Sequence, residues 1–216
     1  MKTLLTKRQL IFLEEFKKDT YMANTFYLTG GTALAEFYLH HRYSEDLDFF
    51  TDKDIDDTKV DVFIKKVAAI LQPKTIARQR IYDRRMRMLD FAGEQLKTEF
   101  VKYEFKNIKP EKIMKGIYVA DIYDIAVNKL FTILDRNEVK DFVDLYFLFK
   151  KFTLDTLRNG VKRKFGYTLD DIGLGGDLLK VKNTLMMPKM VKKLTKEELI
   201  SFFENETLKL QKNIFE

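Results

Sequence analysis

A mixed α/β (α+β) fold followed by a helical region is what this sequence predicts, and three observations carry the prediction. In the first half, short apolar or alternating runs are interspersed with helical patterns. The pair Gly30-Gly31 joins one apolar run to a helical segment, and the next apolar run carries aspartates at alternate positions, Asp46 and Asp48. Beyond about residue 111 the strand patterns cease and helical periodicity takes over. The reading is a mixed β-sheet with flanking helices over residues 1–115 and a helical domain over residues 116–216.

The elements follow in order. Thr6 is placed to cap a helix over residues 6–19, with Leu10, Phe12, Leu13 and Phe16 near helical spacing. Residues 25–29 read as a short buried strand, and Thr32–His40 as a helix with Ala33, Leu34, Phe37 and Tyr38 repeating. Residues 46–51 form a second strand. Asp56 or Asp57 caps a helix with Val60, Phe63, Ile64 and Val67 on one face, and Pro73 ends it. Thr75–Ile81, Arg85–Phe91 and Leu96–Phe105 read as strands, with Ala92-Gly93-Glu94 as the turn between the last two. Asp121–Leu134 reads as a helix, with Asp121 as cap and Asp124 in a capping-box-like position. Glu138–Lys150 and Leu154–Phe165 follow as helices. Gly173, Gly175 and Gly176 mark a break, and Leu194–Leu210 closes the chain as a helix capped by Thr195 with Glu198.

Composition narrows the chemistry. The 216 residues are 45% hydrophobic, enough to bury a core. There is no cysteine, which removes disulfides, zinc–thiolate sites and a cysteine nucleophile and suits a cytoplasmic protein. The two histidines, His40 and His41, are adjacent and read as structural, so a histidine metal site or a Ser-His-Asp triad is poorly supplied. No run is long enough to span a membrane, and no signal peptide is visible. The net charge of +6 is unevenly spread. Residues 20–61 hold nine acids and three bases, residues 73–115 twelve bases and six acids, and residues 178–196 six lysines and no acid. An acidic pocket between basic surfaces suits a metal-dependent enzyme acting on nucleic acid, although lysine-rich surfaces are also ordinary in soluble proteins.

On a strand, Asp46 and Asp48 share one face, with Leu47 and Phe49 turned into the core. Two adjacent carboxylates repel unless a cation joins them, and Mg²⁺ prefers carboxylate oxygens together with substrate phosphates. The later acids, Asp52 to Asp57, read as solvated loop and helix cap. Gly30-Gly31-Thr32, between strand and helix, is placed to offer backbone N–H groups and a hydroxyl to a phosphate. Lys129 sits inside an apolar helix, where a lysine must snorkel, pair or meet a ligand. Asp141 and Asp144 share a helix face, so a salt bridge from Lys129 or Arg136 to one of them is the plain alternative. Tyr82, Arg84, Arg85 and Arg87 read either as an RNA-backbone contact or as a solvated hairpin, and Lys150–Lys164 and Lys180–Lys196 as candidate acceptor surfaces.

Gly30-Gly31, a helix and then Asp46-Leu47-Asp48 resemble the signature of the DNA polymerase β-like nucleotidyltransferase superfamily. The longer string from Leu28 to Ala35 and from Arg42 to Phe50 resembles the AbiEii/AbiGii toxin family, which includes the MenT toxins. A second block agrees: Asp124-Ile125-Ala126-Val127-Asn128-Lys129-Leu130, Arg136, and Lys140-Asp141-Phe142-Val143-Asp144-Leu145-Tyr146. The resemblance spans residues 24–150 and implies a nucleotidyltransferase-type sheet. It implies an Mg²⁺-dependent enzyme that moves NMP from an NTP to an acceptor, RNA such as the 3′ end of tRNA, as the toxin of a toxin–antitoxin or phage-defence (abortive infection) system silenced by a cognate antitoxin. On this resemblance Asp46 and Asp48 hold the metal, and Gly30, Gly31, Thr32 and Ser44 lie at the triphosphate. Glu99 is the candidate third carboxylate, with Asp90 as its rival. Lys129 meets the triphosphate, and Asp144, or Asp141 in its place, belongs to the active site. The alternatives are a small-molecule nucleotidyltransferase of the antibiotic-modifying kind and a catalytically inactive nucleotide-binding module.

Overall fold

The computed structural model describes residues 3–183 and 186–215. The chain forms two compact units: one takes the chain as far as Tyr38 and again Tyr43–Asp121, the other takes Leu39–Arg42 and everything from Ile122. The first is a mixed sheet with flanking helices and the second is helical.

In the first unit, α1 (Lys7–Lys18) begins at a complete capping box. Thr6 Oγ1 accepts from the Gln9 N–H at 3.1 Å, and the Gln9 side chain accepts from the Thr6 N–H at 2.9 Å. A short helix α2 (Thr20–Thr25), capped by Asp19, leads into β1 (Tyr27–Thr29). Gly30 opens α3 (Gly30–Leu34), which continues as a π-helical turn over Ala35–Leu39. The wider turn replaces the single helix expected there. β2 (Leu47–Thr51) follows, then α4 (Asp57–Leu71), capped by Asp56 and closed by Gln72 in a left-handed conformation before Pro73. β3 (Thr75–Ile81), β4 (Arg84–Phe91) and β5 (Glu94–Lys102) form consecutive hairpins. A further hairpin, β6 (Lys112–Met114) and β7 (Ile117–Val119), was not legible in the sequence. Its strands are three residues each and its sheet partner, β1, is distant in the chain, so no local periodicity betrays it. Because this hairpin belongs to the sheet, the division falls after Asp121 rather than near residue 115.

The seven strands run in the order β3-β4-β5-β2-β1-β7-β6, with β2–β5 and β1–β7 parallel and the other pairs antiparallel. The pleat sorts their side chains. Leu47, Phe49 and Phe100 are fully buried on the face that packs α1 and α4. Phe49 lies between Phe16 at 4.4 Å and Phe100 at 5.3 Å, and Phe12 meets Phe63 edge-on at 5.2 Å. Asp48, Phe50 and Glu99, at the alternate positions, stand on the opposite face.

The second unit comprises α5 (Ile122–Asp135), α6 (Val139–Leu148), α7 (Leu154–Phe165), α8 (Asp171–Leu179), a 3₁₀ turn over Lys180–Asn183 and α9 (Lys196–Phe215). α5 packs against α6, α7 and α8, and α9 against α6 and α8. Gly173, Gly175 and Gly176 do not break the chain: they lie within α8. Asp170 caps that helix, and Gly175 lets α8 approach Thr207 of α9, where a Cβ would already be in tight contact at 3.3 Å. Asp124, read as part of a capping box, is buried and holds Lys164 at 2.7 Å. Thr195 and Glu198 do form a capping box, with bonds of 3.1 and 2.7 Å. Among the described residues no helix is long and apolar enough to cross a membrane.

Candidate active site

The first unit brings the Gly-Gly turn against the aspartate strand. In the antiparallel β1–β2 pair Thr29 is the partner of Asp48, so Gly30 follows directly beside the Asp48 carboxylate. Gly30 has φ of +71°, a left-handed backbone, and a Cβ built there would overlap Asp48 Oδ2. Glycine is thus required twice at this position, for conformation and for space. Thr32 is buried, and its hydroxyl donates to the Asp46 carbonyl. That hydroxyl therefore fixes the entry to β2 instead of pointing freely at a ligand. Gln9 adds a second restraint, donating to the Ser44 and Glu45 carbonyls at 3.0 Å each. Ser44, Asp46 and Asp48 are part-exposed on this braced segment.

The parallel β2–β5 register places Glu99 directly opposite Asp48 on the same sheet face. Asp90 is elsewhere: it accepts from Gln95 at 2.6 Å and from Thr75 at 3.2 Å, beside the β4–β5 turn. Geometry therefore separates the two candidates for a third carboxylate. Glu99 pairs with neither Lys97 nor Lys102, which reach Asp46 at 3.8 Å and Asp54 at 2.7 Å. Its partner is Arg84, which donates through Nε and, at 2.9 Å, through Nη2. Arg84 holds its proton more firmly than usual, first through the bond to Glu99, with burial opposing and the charges of Glu99 and Asp48 adding. The neighbouring arginines are also engaged, Arg85 with Asp57 and Arg87 with Asp61, both at 3.0 Å, while Tyr82 is almost fully exposed.

Asp46, Asp48 and Glu99 are all hard oxygen donors, the set that suits Mg²⁺. Among the described residues no three acidic or histidine side chains converge closely enough to enclose an ion. A cation held by two carboxylates and completed by substrate phosphates and water fits such a half-cage, and Mg²⁺ is commonly held in that way.

The second unit contains a buried charge cluster. Lys129 on α5 lies 2.6 Å from both Asp141 and Asp144 of α6. Asp144 also accepts from His41 Nε2 at 2.7 Å and from Arg42 Nε at 2.7 Å and Nη2 at 2.8 Å. Arg136 completes the group, reaching Asp141 at 2.7 Å. Burial pushes the Asp144 carboxyl up, but Lys129 and Arg42 more than offset it and hold it well below the usual carboxylate range. Burial draws Lys129 down, and Asp144 and Asp141 return it to above its ordinary value. Burial also pushes the His41 imidazole down against the pull of Asp144, so the ring is neutral and Nε2 carries the proton it donates. Lys129 thus contacts both of the aspartates between which the sequence left the choice open. His41 and Arg42, the former read as merely structural, are central here. The sequence offered one signal, a basic pair beside the aspartate motif, but its partner lies 102 residues away. Of the lysines read as an acceptor surface, Lys164 is buried on Asp124 and Lys180 bonds the Leu134 carbonyl at 2.9 Å, so neither is free to do so. Thr184 and Leu185, within the second of those stretches, lie outside the described residues.

Comparison with known proteins agrees with this architecture. The sequence model of the family described as "Nucleotidyl transferase AbiEii toxin, Type IV TA system" matches residues 12–214. The protein aq_aa25 of Aquifex aeolicus (strain VF5) is 35% identical over 150 residues, covering 67% of this chain and 68% of that one. JHP933 from Helicobacter pylori superposes with a TM-score of 0.60 at 23% identity, over 97% of this chain and 94% of that one. MenT4, a nucleotidyltransferase toxin of Mycobacterium tuberculosis H37Rv, gives 0.53 at 13% identity, over 94% and 84%. The two structures establish the likeness of fold.

Proposed function

This chain belongs to the AbiEii nucleotidyl transferase toxin family, and from that premise we propose that it transfers NMP from an NTP to the 3′ end of an RNA, tRNA in particular, in an Mg²⁺-dependent reaction restrained by a cognate antitoxin in the cytoplasm. Nucleotidyl transfer and membership of a toxin–antitoxin system follow from the family itself. The acceptor, the metal and the residue roles are the proposal. One observation carries it: Gly30, Asp48 and Glu99 are juxtaposed on one open face of the sheet, with Asp46 two residues ahead.

In this reading Asp46 and Asp48 would hold the cation, with Glu99 as a third ligand once free of Arg84. The bound ion would neutralise charge on the phosphoryl oxygens and on the departing pyrophosphate. The backbone N–H groups of Gly30 and Gly31, with Ser44, bind the triphosphate. Gly30 can do so because no side chain stands between its backbone and Asp48. Thr32 contributes by holding Asp46 in place through the Asp46 carbonyl. Glu99 would orient the acceptor hydroxyl and draw its proton as the hydroxyl attacks the α-phosphorus in line and pyrophosphate departs. Lys129 and Asp144 belong to the other unit. Their ion pair keeps the lysine charged inside its unit.

The test is incubation with each NTP, radiolabelled at the α-phosphate, with Mg²⁺ and total tRNA. RNA becomes labelled by the wild-type protein and not by Asp48→Ala. Absence of label in RNA with every NTP overturns the RNA acceptor.

A further inference from the structure

The sheet face that carries Asp48 and Glu99 also carries a row of aromatic rings that the core does not use. Tyr27 is the strand partner of Phe50, and their rings are 6.3 Å apart. Phe50 lies 4.7 Å from Tyr103, and Tyr103 lies 5.5 Å from Phe105. Val119 is the buried partner of Leu28, so Tyr118 stands on the same face as Tyr27. Tyr118 and Phe105 are each 44% exposed. The opposite face is already filled by the phenylalanines of α1, α4 and the strands. Tyr27, Phe50 and Tyr103, between Tyr118 and Phe105, are half-buried, and an apolar patch that stays part-exposed in this way marks a binding surface.

Tyr27, Tyr103, Phe105 and Tyr118 line a groove of about 520 Å³ whose wall also includes Lys53, Lys106 and Lys109, with Asp52 and Glu111 as its acids; Phe50 lies beside it, against Tyr27 and Tyr103. Lys53 is braced on the Asn24 carbonyl at 2.9 Å, and Glu111 accepts from Asn107 at 2.7 Å. Lys106 is exposed. Flat rings in series beside ammonium groups are the chemistry of single-stranded nucleic acid: bases stack on the rings and phosphates run along the lysines. Stacking of this kind tolerates any base. Position adds to the argument. Phe50 follows Asp48 on the same face of the same strand, about 7 Å along at the strand rise. The row therefore passes beside the carboxylates, nearest them at Phe50.

We infer that the row Tyr118–Tyr27–Phe50–Tyr103–Phe105, with Lys106 at its edge, is the platform on which single-stranded nucleotides of the RNA acceptor stack. The inference rests on the RNA acceptor proposed above and adds its place on the protein. Binding is separable from catalysis, so the two ideas fail separately.

The experiment measures anisotropy of a labelled 12-nucleotide single-stranded RNA with the full chain, in EDTA and without NTP. The wild type binds it. The double variant Phe105→Ala/Tyr118→Ala binds at least about tenfold more weakly, while its affinity for Mg²⁺-NTP is unchanged. Lys106→Ala lowers the salt dependence of binding by about one ion. Tyr118→Trp, a conservative change in a chain without tryptophan, gives indole fluorescence that RNA quenches. RNA affinity unchanged in the double variant overturns the platform. So does a loss of NTP affinity in parallel, which would make the row a nucleotide-base pocket, or failure of the wild type to bind RNA. If RNA binds the row yet no NTP labels it, the platform stands and the transfer to RNA falls. If the double variant labels RNA as well as the wild type, the reverse holds.

Discussion

Gly30→Ala is the sharpest single perturbation, because a second glycine provides its control. Gly30 and Gly93 both have left-handed backbones, with φ of +71° and +86°. A Cβ on Gly93 meets nothing within 4 Å. Gly93→Ala therefore reports backbone strain alone, about 1 kcal/mol, or about 2–4 °C in melting temperature for a chain of this size. A Cβ on Gly30 overlaps Asp48 Oδ2 and lies 2.9 Å from Asp48 Cγ and 3.1 Å from Asp48 Cβ. Relief requires the carboxylate to swing away, adding an overpacking cost of about 1–3 kcal/mol. The total for Gly30→Ala is about 2–4 kcal/mol. Displacing a reacting group by 1 Å costs about 10²-fold in rate. Thermal melting and label transfer from NTP to RNA are measured for both variants, below the melting temperature of each. Gly93→Ala is expected to keep nearly full activity and Gly30→Ala to lose about a hundredfold. Equal activities would refute the claim that the turn's close approach sets the position of Asp48.

Three further outcomes are expected. Arg84→Gln frees Glu99, and since the Arg84 side chain is about half exposed the pair is worth at most about 1 kcal/mol, so Mn²⁺ affinity by calorimetry rises up to about fivefold; an unchanged affinity would mean that Arg84 does not compete for Glu99. Lys129→Met leaves Asp141 and Asp144 buried with one fewer cation, at a cost of about 3–5 kcal/mol by denaturant unfolding, whereas a loss below 1 kcal/mol would show that the cluster is not a unit. The folded pKa values of His41, Asp141 and Asp144 are all depressed, so each contribution is present above its unfolded value and lost as pH falls. Melting temperature should decline below about pH 6.5 through His41 and more steeply below about pH 4 through the aspartates, and His41→Gln should flatten the first limb; a flat profile from pH 7 to 3 contradicts the assignment.

The features legible in the sequence are the local ones. Thr6, Asp56 and Thr195 each cap the helix that follows, because a short polar side chain before an apolar repeat is a local signal. The alternation of Asp46, Leu47, Asp48 and Phe49 gave the facing of β2 for the same reason. What escaped depends on partners far along the chain. Three-residue strands carry too little pattern to announce β6 and β7, whose place comes from pairing with β1. Arg84, read as an RNA-backbone contact or part of a solvated hairpin, lies on Glu99 because β4 and β5 pair. His41 and Arg42 acquired meaning only from Asp144, and the glycines of α8 only from the approach of α9. The candidate site was thus half visible: Gly30 and Asp48 by spacing, and Glu99 as one of two candidates, of which the β2–β5 register sets Glu99 opposite Asp48.

The proposed nucleotidyl transfer to RNA takes place at Asp46, Asp48 and Glu99. Parallel reactions with the same NTP labelled at the α- or the γ-phosphate, with Mg²⁺ and tRNA, test it most directly. The α-label is expected to enter the RNA 3′ end and the γ-label to leave as pyrophosphate, with both signals lost in Asp48→Asn. Label from the γ-phosphate in RNA, or α-label transfer that survives in Asp48→Asn, would contradict it.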